Sequence, residues 1–363
     1  MQNCSFLKEL AMNRMLQVVV ATTVLCLSMP LGVTHACSRA VYLGPEDTIV
    51  TIRSMDWVSD IGSNLWTLPR GMERDGVCGP ESIAWTSKYG SVIASAFDAA
   101  TSDGMNEQGL VANLLYLAES YYPTPTAGDK RKPMSISVWA QYVLDNFATV
   151  AEAVEALSAE PFYVVPVMTP DGHEGTVHLA ISDPSGDSAI FEYIGWKLVI
   201  HHGREFQVMT NSPIYDQQLA LNAYWEQIGG TTMLPGTNRA ADRFVRALFY
   251  IKAIPQTSDI HQAVASAFSV IRNVSVPLGI STPGQPNISS TLWRSVSDHK
   301  NKRYYFESTS SPSIFWVDVD KLDFTAGQPV KKLTITGGEI YSDNAADKFE
   351  PTELFKFLEA KAK

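Results

Sequence analysis

An apolar run from about Met15 to Val33 opens the chain, behind a basic flank of Lys8 and Arg14. It ends in Thr34-His35-Ala36, which puts small residues three positions and one position before Cys37. That pattern belongs to a secretory leader with its cleavage site, not to a folded element. Residues 1–36 are therefore expected to be removed, leaving 37–363 as one domain that begins on a cysteine. The expected location is periplasmic or secreted. No later stretch is long and apolar enough to span a bilayer, so no membrane anchor is expected.

Removing the leader changes the count of useful groups. Lys8, Arg14 and Glu9 leave with it, which takes the formal charge from −10 to −11. An acidic chain of this kind makes nucleic acid an unsuitable partner. Cys4 and Cys26 also leave, so only Cys37 and Cys78 remain. With 45% apolar residues the rest is long enough to bury a large core.

Cys37 admits three readings. In an exported protein it can pair with Cys78 as a disulfide. It can carry a lipid, although Thr34 and His35 replace the leucine-type and small residues that lipidation uses; the chain would then be a lipid-anchored, non-enzymatic binding protein. Or it can be an N-terminal nucleophile. A free thiol has a pKa of roughly 8.5 and an α-amine roughly 7.7–8.0. An amine on the same residue can take the thiol proton, so nucleophile and base reside in one residue, without metal or cofactor. The seven histidines form no zinc-type motif, and His201-His202 reads as strand. Further along, Arg53 and Asp56 stand at the end of a β-branched run, where spacing alone gives a surface ion pair.

Strand composition marks Thr48–Ile52, Ser91–Phe97, Ser188–Tyr193, Lys197–His202, Gln207–Thr210, Tyr304–Glu307 and Ile314–Val319. Helical spacing marks Ser135–Phe147, Gln217–Gln227 and Ala240–Ile254. Thr149-Val150-Ala151-Glu152 predicts a capping box opening a helix to about Ser158, and Ser258-Asp259 predicts a cap for another through Val270. Strand runs grouped between helix pairs predict an α+β sandwich rather than regular βαβ alternation.

Five segments occur in order along the chain: Cys37-Ser38-Arg39, Arg53-Ser54-Met55-Asp56-Trp57, Asp103-Gly104-Met105-Asn106-Glu107-Gln108-Gly109-Leu110, Thr210-Asn211-Ser212-Pro213 followed by Asp216, and Leu234-Pro235-Gly236 followed by Asp242-Arg243-Phe244-Val245-Arg246. Together they resemble the choloylglycine hydrolase and penicillin V acylase family of N-terminal nucleophile hydrolases, its exported Gram-negative branch in particular. The resemblance implies a four-layer αββα fold, usually a homotetramer, and no cofactor. It makes Cys37 the nucleophile with its own amine as base, and has Arg53 and Asp56 position them. Asn211 would donate to the oxyanion together with a backbone N–H, and Arg243 would complete the polar shell around the thiol. Without the resemblance, Asn211 reads as a turn residue and Arg243 as part of a solvated helix face.

The bile-salt hydrolases of the family carry an asparagine where ungapped alignment puts Tyr116; Asn113 fits that position only after a local shift. Tyr116 and Trp57 are expected to be aromatic walls for a substrate acyl group, unless they serve core packing. The reaction implied is hydrolysis of a small linear amide: penicillin V first, with an N-acyl homoserine lactone or a bile salt as alternative substrates of the same chemistry.

Overall fold

Ser38–Leu43 and Ile49–Asp56 are buried at almost every residue. A hairpin with no solvent face must be covered on both sides. The computed structural model, which describes residues 37–229, 232–282, 285–311 and 313–361, covers it with a second sheet on one face and helices on the other. The leader expected at 1–36 lies outside the described residues.

In chain order the strands of the two large sheets are β1 (Ser38–Leu43), β2 (Ile49–Asp56), β3 (Leu65–Leu68), β4 (Ser91–Ala96), β5 (Ala100–Asn106), β6 (Val111–Tyr116), β7 (Val177–Ser182), β8 (Ser188–Ile194), β9 (Lys197–His202), β10 (Val208–Thr210), β11 (Thr291–Asp298), β12 (Arg303–Ser308), β13 (Ile314–Asp318), β14 (Lys331–Leu333), β15 (Asp343–Asn344) and β16 (Glu350–Pro351). The helices are α1 (Trp139–Asn146), α2 (Val150–Ser158), α3 (Tyr215–Ile228), α4 (Ala240–Ala253) and α5 (Ile260–Asn273). One sheet runs β10-β1-β2-β11-β12-β13-β15 and the other β9-β8-β7-β6-β5-β4-β3-β14-β16. Helices α4 and α5 pack on the first sheet and α1 and α2 on the second. This is the expected α+β sandwich, in layers α, β, β, α.

One core holds side chains of both sheets together with α4 and α5, among them Ile52, Ala94, Leu115, Trp293, Phe244 and Phe268. The other lies under α1 and α2 and includes Ile93, Leu144, Phe191 and Ala153. Two details differ from the sequence reading. Thr149 Oγ1 accepts from Glu152 N, but the Glu152 carboxylate accepts from Ala148 N rather than from Thr149. Strand β2 continues through Arg53 to Asp56 instead of stopping at Ile52. Charged residues signal a strand end only when nothing inside the protein can pair with them, and here partners exist on both sides.

Candidate active site

Strand register assembles the site. β1 pairs with β2 through Ser38↔Ser54 and Arg39↔Arg53, and with β10 through Ser38↔Thr210. Cys37, one residue before Ser38, therefore sits between Met55 on one neighbour and Asn211 on the other. The atoms agree: Cys37 N donates to Asn211 Oδ1, and Cys37 Sγ lies 3.9 Å from Met55 Sδ and 3.7 Å from the Asp56 carbonyl oxygen. In the full-length chain Cys37 N is an amide.

Side chains alternate along a strand. Arg53 and Met55 face the interior between the sheets, while Ser54 and Asp56 face the helices. Arg243, on α4, meets the second set. Its Nη1 donates to the Cys37 carbonyl at 2.7 Å, to Ser38 Oγ, and to Asp56 Oδ2 at 3.5 Å. Its Nη2 donates to Asn211 Oδ1 at 3.1 Å and its Nε to Asn238 O at 3.0 Å. Arg243 is thus a fully buried clamp, not part of a solvated face. Thr291 on β11, in register with Asp56, donates its hydroxyl to Asp56 Oδ1 at 2.5 Å.

Arg53 and Asp56 are both fully buried and do not pair with each other, contrary to the surface ion pair that spacing gives. Arg53 reaches across to the second sheet. Its Nη2 donates to Leu114 O at 3.0 Å, its Nε lies 3.7 Å from Asp103 Oδ2, and its guanidinium stacks over Trp293 at 4.5 Å. Asp103 in turn accepts from Asn113 Nδ2 at 2.7 Å and from the Tyr304 hydroxyl.

Burial dominates the proton affinities. It pushes the Cys37 thiol up, with the Arg53 charge as the main opposing influence. It pushes the Asp56 carboxyl up to about 6, against the pull of Arg243 and the Thr291 hydrogen bond. The Asn211 amide nitrogen donates to Tyr116 O at 2.6 Å, and a primary amide has a second N–H to offer.

Cys37, Arg53, Met55, Trp57, Leu114 and Tyr116 line one mostly apolar cavity, the kind of lining a small-molecule site uses. Trp57 and Tyr116 meet edge to face at 6.1 Å on its wall. The arrangement offers a thiol at the base of an apolar pocket, with cations on two sides.

The family described as "Linear amide C-N hydrolases, choloylglycine hydrolase family" matches residues 37–332, starting on Cys37 itself. The chain belongs to the choloylglycine hydrolase family. It is 51% identical to a penicillin V acylase of Pectobacterium atrosepticum, over 95% of this chain and 98% of that one. It is 26% identical to a bile salt hydrolase/transferase of Clostridium perfringens, over 74% of this chain and 88% of that one. The structure of a penicillin V acylase from Agrobacterium tumefaciens superposes with a TM-score of 0.83 at 59% identity, covering 89% of this chain and 99% of that one. A conjugated bile acid hydrolase from Clostridium perfringens shares the fold, with a TM-score of 0.71 at 22% identity.

As a choloylglycine hydrolase family member the chain is a linear amide C–N hydrolase, and the reading as a non-enzymatic binding protein gives way. The disulfide reading also gives way. Both cysteines are free, and Cys78 packs against the other core. Of the expected site residues, Cys37, Arg53, Asp56, Asn211 and Arg243 converge, and Trp57 and Tyr116 line the cavity. Asn113 does not line it; it is buried on Asp103. Thr291, Met55 and Asp103 were missed. Asp103 and Met55 stand inside quoted motifs, but nothing local marks Thr291, which reaches Asp56 only by long-range strand pairing.

Proposed function

We propose that the mature chain begins at Cys37 and hydrolyses penicillin V, releasing phenoxyacetate and 6-aminopenicillanic acid. The observation that carries this is the meeting of the Cys37 backbone nitrogen, Asn211, Arg243 and Asp56 beside an apolar cavity. The α-amine takes the thiol proton, and Sγ attacks the amide carbonyl. The second N–H of Asn211 stabilises the tetrahedral oxyanion, a contribution of about 3–4 kcal/mol to the barrier. The α-ammonium gives its proton to the leaving nitrogen, the C–N bond breaks, and an acyl thioester remains on Cys37. Water, deprotonated by the amine, adds to the thioester; the acid leaves and the thiol is restored. Arg53 supports the thiolate from one side, and Arg243 with Asp56 fixes the amine from the other.

The relatives named penicillin V acylase support the substrate, and the apolar wall of Trp57 and Tyr116 suits a phenoxyacetyl group. An N-acyl homoserine lactone has the same linkage and fits the exported location, so it enters the same assay. We further propose export to the periplasm or beyond, and assembly as a homotetramer. Leu221, Tyr224 and Ile228 are exposed on α3, which supports association of copies.

The test is Cys37→Ala and Cys37→Ser, with the intact mass of the purified protein. The expected mass begins at an unmodified Cys37, and both variants lose penicillin V turnover. A diacylglyceryl adduct, or near-wild-type turnover in Cys37→Ala, would overturn the assignment. Comparing kcat/KM for penicillin V, a long-chain acyl homoserine lactone and glycocholate then ranks the substrates.

A further inference from the structure

Asp171 takes no part in the chemistry above. It lies in the turn of a short hairpin outside both large sheets, in which Val167 and Met168 pair with Gly175 and Glu174. Three side chains donate to its carboxylate. Trp57 Nε1 and Ser59 Oγ reach Oδ2, each at 2.7 Å, and Thr169 Oγ1 reaches Oδ1 at 2.6 Å. His173 of the same turn stands edge-on to Trp57 at 6.0 Å. The carboxylate therefore ties the tip of the hairpin to the segment that follows β2, and it holds the Trp57 ring in place.

The hairpin is also a wall between two spaces. Val167, Thr169 and Gly175 line the cavity that holds Cys37. Val167 also lines a larger groove bordered by Tyr121, Tyr163 and Trp196. The wall stands close: a Cβ on Gly175 would meet Ile136 Cδ1 at 2.8 Å, so this strand packs without a side chain at that point. Its ladder of two residue pairs is extended by Thr169 N donating to His173 O at 2.8 Å, and Asp171 ties the tip so formed to the segment after β2.

We propose that Asp171 is a positioning residue that sets acyl-group selection: through Trp57 it keeps the hairpin closed, so that the acyl cavity ends at the Val167 wall and admits short, flat acyl groups over long chains. The proposal rests on the assignment of Cys37 as a nucleophile acting on acyl amides. With the pin removed, Trp57 can turn and the cavity opens toward the groove. A phenoxyacetyl group then loses a fixed wall, and a long chain gains space.

The experiment uses Asp171→Ala, Trp57→Phe and their double variant, with phenoxyacetyl and decanoyl amides of one common amine. In Asp171→Ala, KM for the phenoxyacetyl amide is expected to rise roughly tenfold with kcat within about twofold. The phenoxyacetyl-to-decanoyl ratio of kcat/KM is expected to fall roughly tenfold or more. In the Trp57→Phe background the same change should have less than about a twofold effect, because both act through one ring. Trp57 emission, taken as wild type minus Trp57→Phe, should shift to the red in Asp171→Ala. Should Asp171→Ala not fold, Asp171→Asn keeps one acceptor oxygen and is expected to give intermediate shifts. An unchanged acyl ratio, independent effects in the double variant, or unshifted emission overturns the proposal. Failure of the wild type to cleave either amide would instead refute the Cys37 assignment, and the emission shift would still test the pin.

Discussion

Two buried carboxylates, Asp56 beside Cys37 and Glu192 on β8, have been brought out of water to similar depth and respond in opposite ways. Burial pushes both up. At Glu192 the donors win: His178 Nδ1 lies at 2.9 Å, the Tyr215 amide donates at 3.1 Å, and His201 Nε2 lies at 3.8 Å, so the carboxyl is held down at about 2. At Asp56 burial wins. The Arg243 contact is long, 3.5 Å, because that guanidinium is shared with Cys37, Ser38 and Asn211, and the carboxyl stands at about 6. Glu192 is a fully served structural ion. Asp56 is a poorly compensated one, and uncompensated charge gathers where chemistry is done.

The signs with pH follow. The folded pKa of Glu192 lies below its ordinary value of 4.5, so its stabilisation is present above that value and is lost as pH falls toward about 2. The folded pKa of Asp56 lies above its ordinary 3.8, so its contribution is present below that value and is lost as pH rises to about 6. In the proposed mechanism the Asp56 carboxylate holds the amine, and it forms over the same interval. Near the active centre, stability and activity therefore pull apart between about pH 4 and pH 6, whereas the folded Glu192 carboxyl stays ionised across that interval. An α-ammonium on Cys37 adds a cation beside Asp56 and places the acid limb of kcat/KM at or below about 6.

The harshest way to break the contrast is Arg243→Met. It removes the only cation within ion-pairing distance of Asp56 among the described residues. Losing one partner of a buried ion pair costs about 3–5 kcal/mol of stability. With Asn211 and the Cys37 carbonyl also released, kcat/KM is expected to drop by roughly 10²–10³-fold. Calorimetry and steady-state kinetics on the same preparation check both. A loss of activity without a loss of stability would mean that Asp56 had found another partner.

Asp56→Asn and Glu192→Gln separate the two roles. Asp56→Asn removes a charge that burial disfavours but leaves the buried Arg243 cation without its counter-charge, so at pH 8 its loss of Tm is expected to be smaller than that of Arg243→Met. The kcat/KM of Asp56→Asn should fall by about 100-fold and lose the acid limb. Glu192→Gln should do the reverse. It should lose about 1–3 kcal/mol at pH 7, lose less as pH approaches 2, and keep kcat/KM within a few-fold. Equal behaviour of the two variants would dissolve the distinction.

This contrast shows how far the sequence could be read. Cys37 stands out because a leader-like apolar run ends just before it, and Arg53, Asp56, Asn211 and Arg243 because they stand in recognisable ordered motifs. Helices α4 and α5 were legible from apolar spacing and the Asp259 cap, which accepts from His261 N and Gln262 N. The partners of the charges were not. Arg53 finds Asp103 across the sandwich, and Asp56 finds Arg243 on a helix and Thr291 on a strand 235 residues further on. Spacing along a chain reports neighbours on one element, and these pairs exist only after the sheets have stacked. That is why β2 reads as ending at Ile52 although it runs to Asp56. Asp171 is hidden for the same reason: its sequence marks a turn, and its hydrogen bonds to Trp57 and Ser59 require the hairpin to fold back on β2.

The finest test works on a single hydroxyl. Thr291 Oγ1 donates to Asp56 Oδ1 and also accepts from Val276 N at 2.9 Å. Thr291→Val removes the donor without touching a charge. A hydrogen bond to an ionised group is worth about 1.5–3 kcal/mol, and 1.36 kcal/mol corresponds to one pH unit. Losing it disfavours the carboxylate, so the acid limb of kcat/KM should move up by about one pH unit, with the plateau at high pH lowered far less than in Asp56→Asn. Because the variant also strands the Val276 amide, some stability is lost at every pH, and that part does not titrate. Thr291→Ser keeps the hydroxyl and should restore both the limb and the Val276 contact. A limb that stays in place in Thr291→Val would mean that the proton governing activity does not belong to Asp56, and the contrast with Glu192 would then describe stability alone.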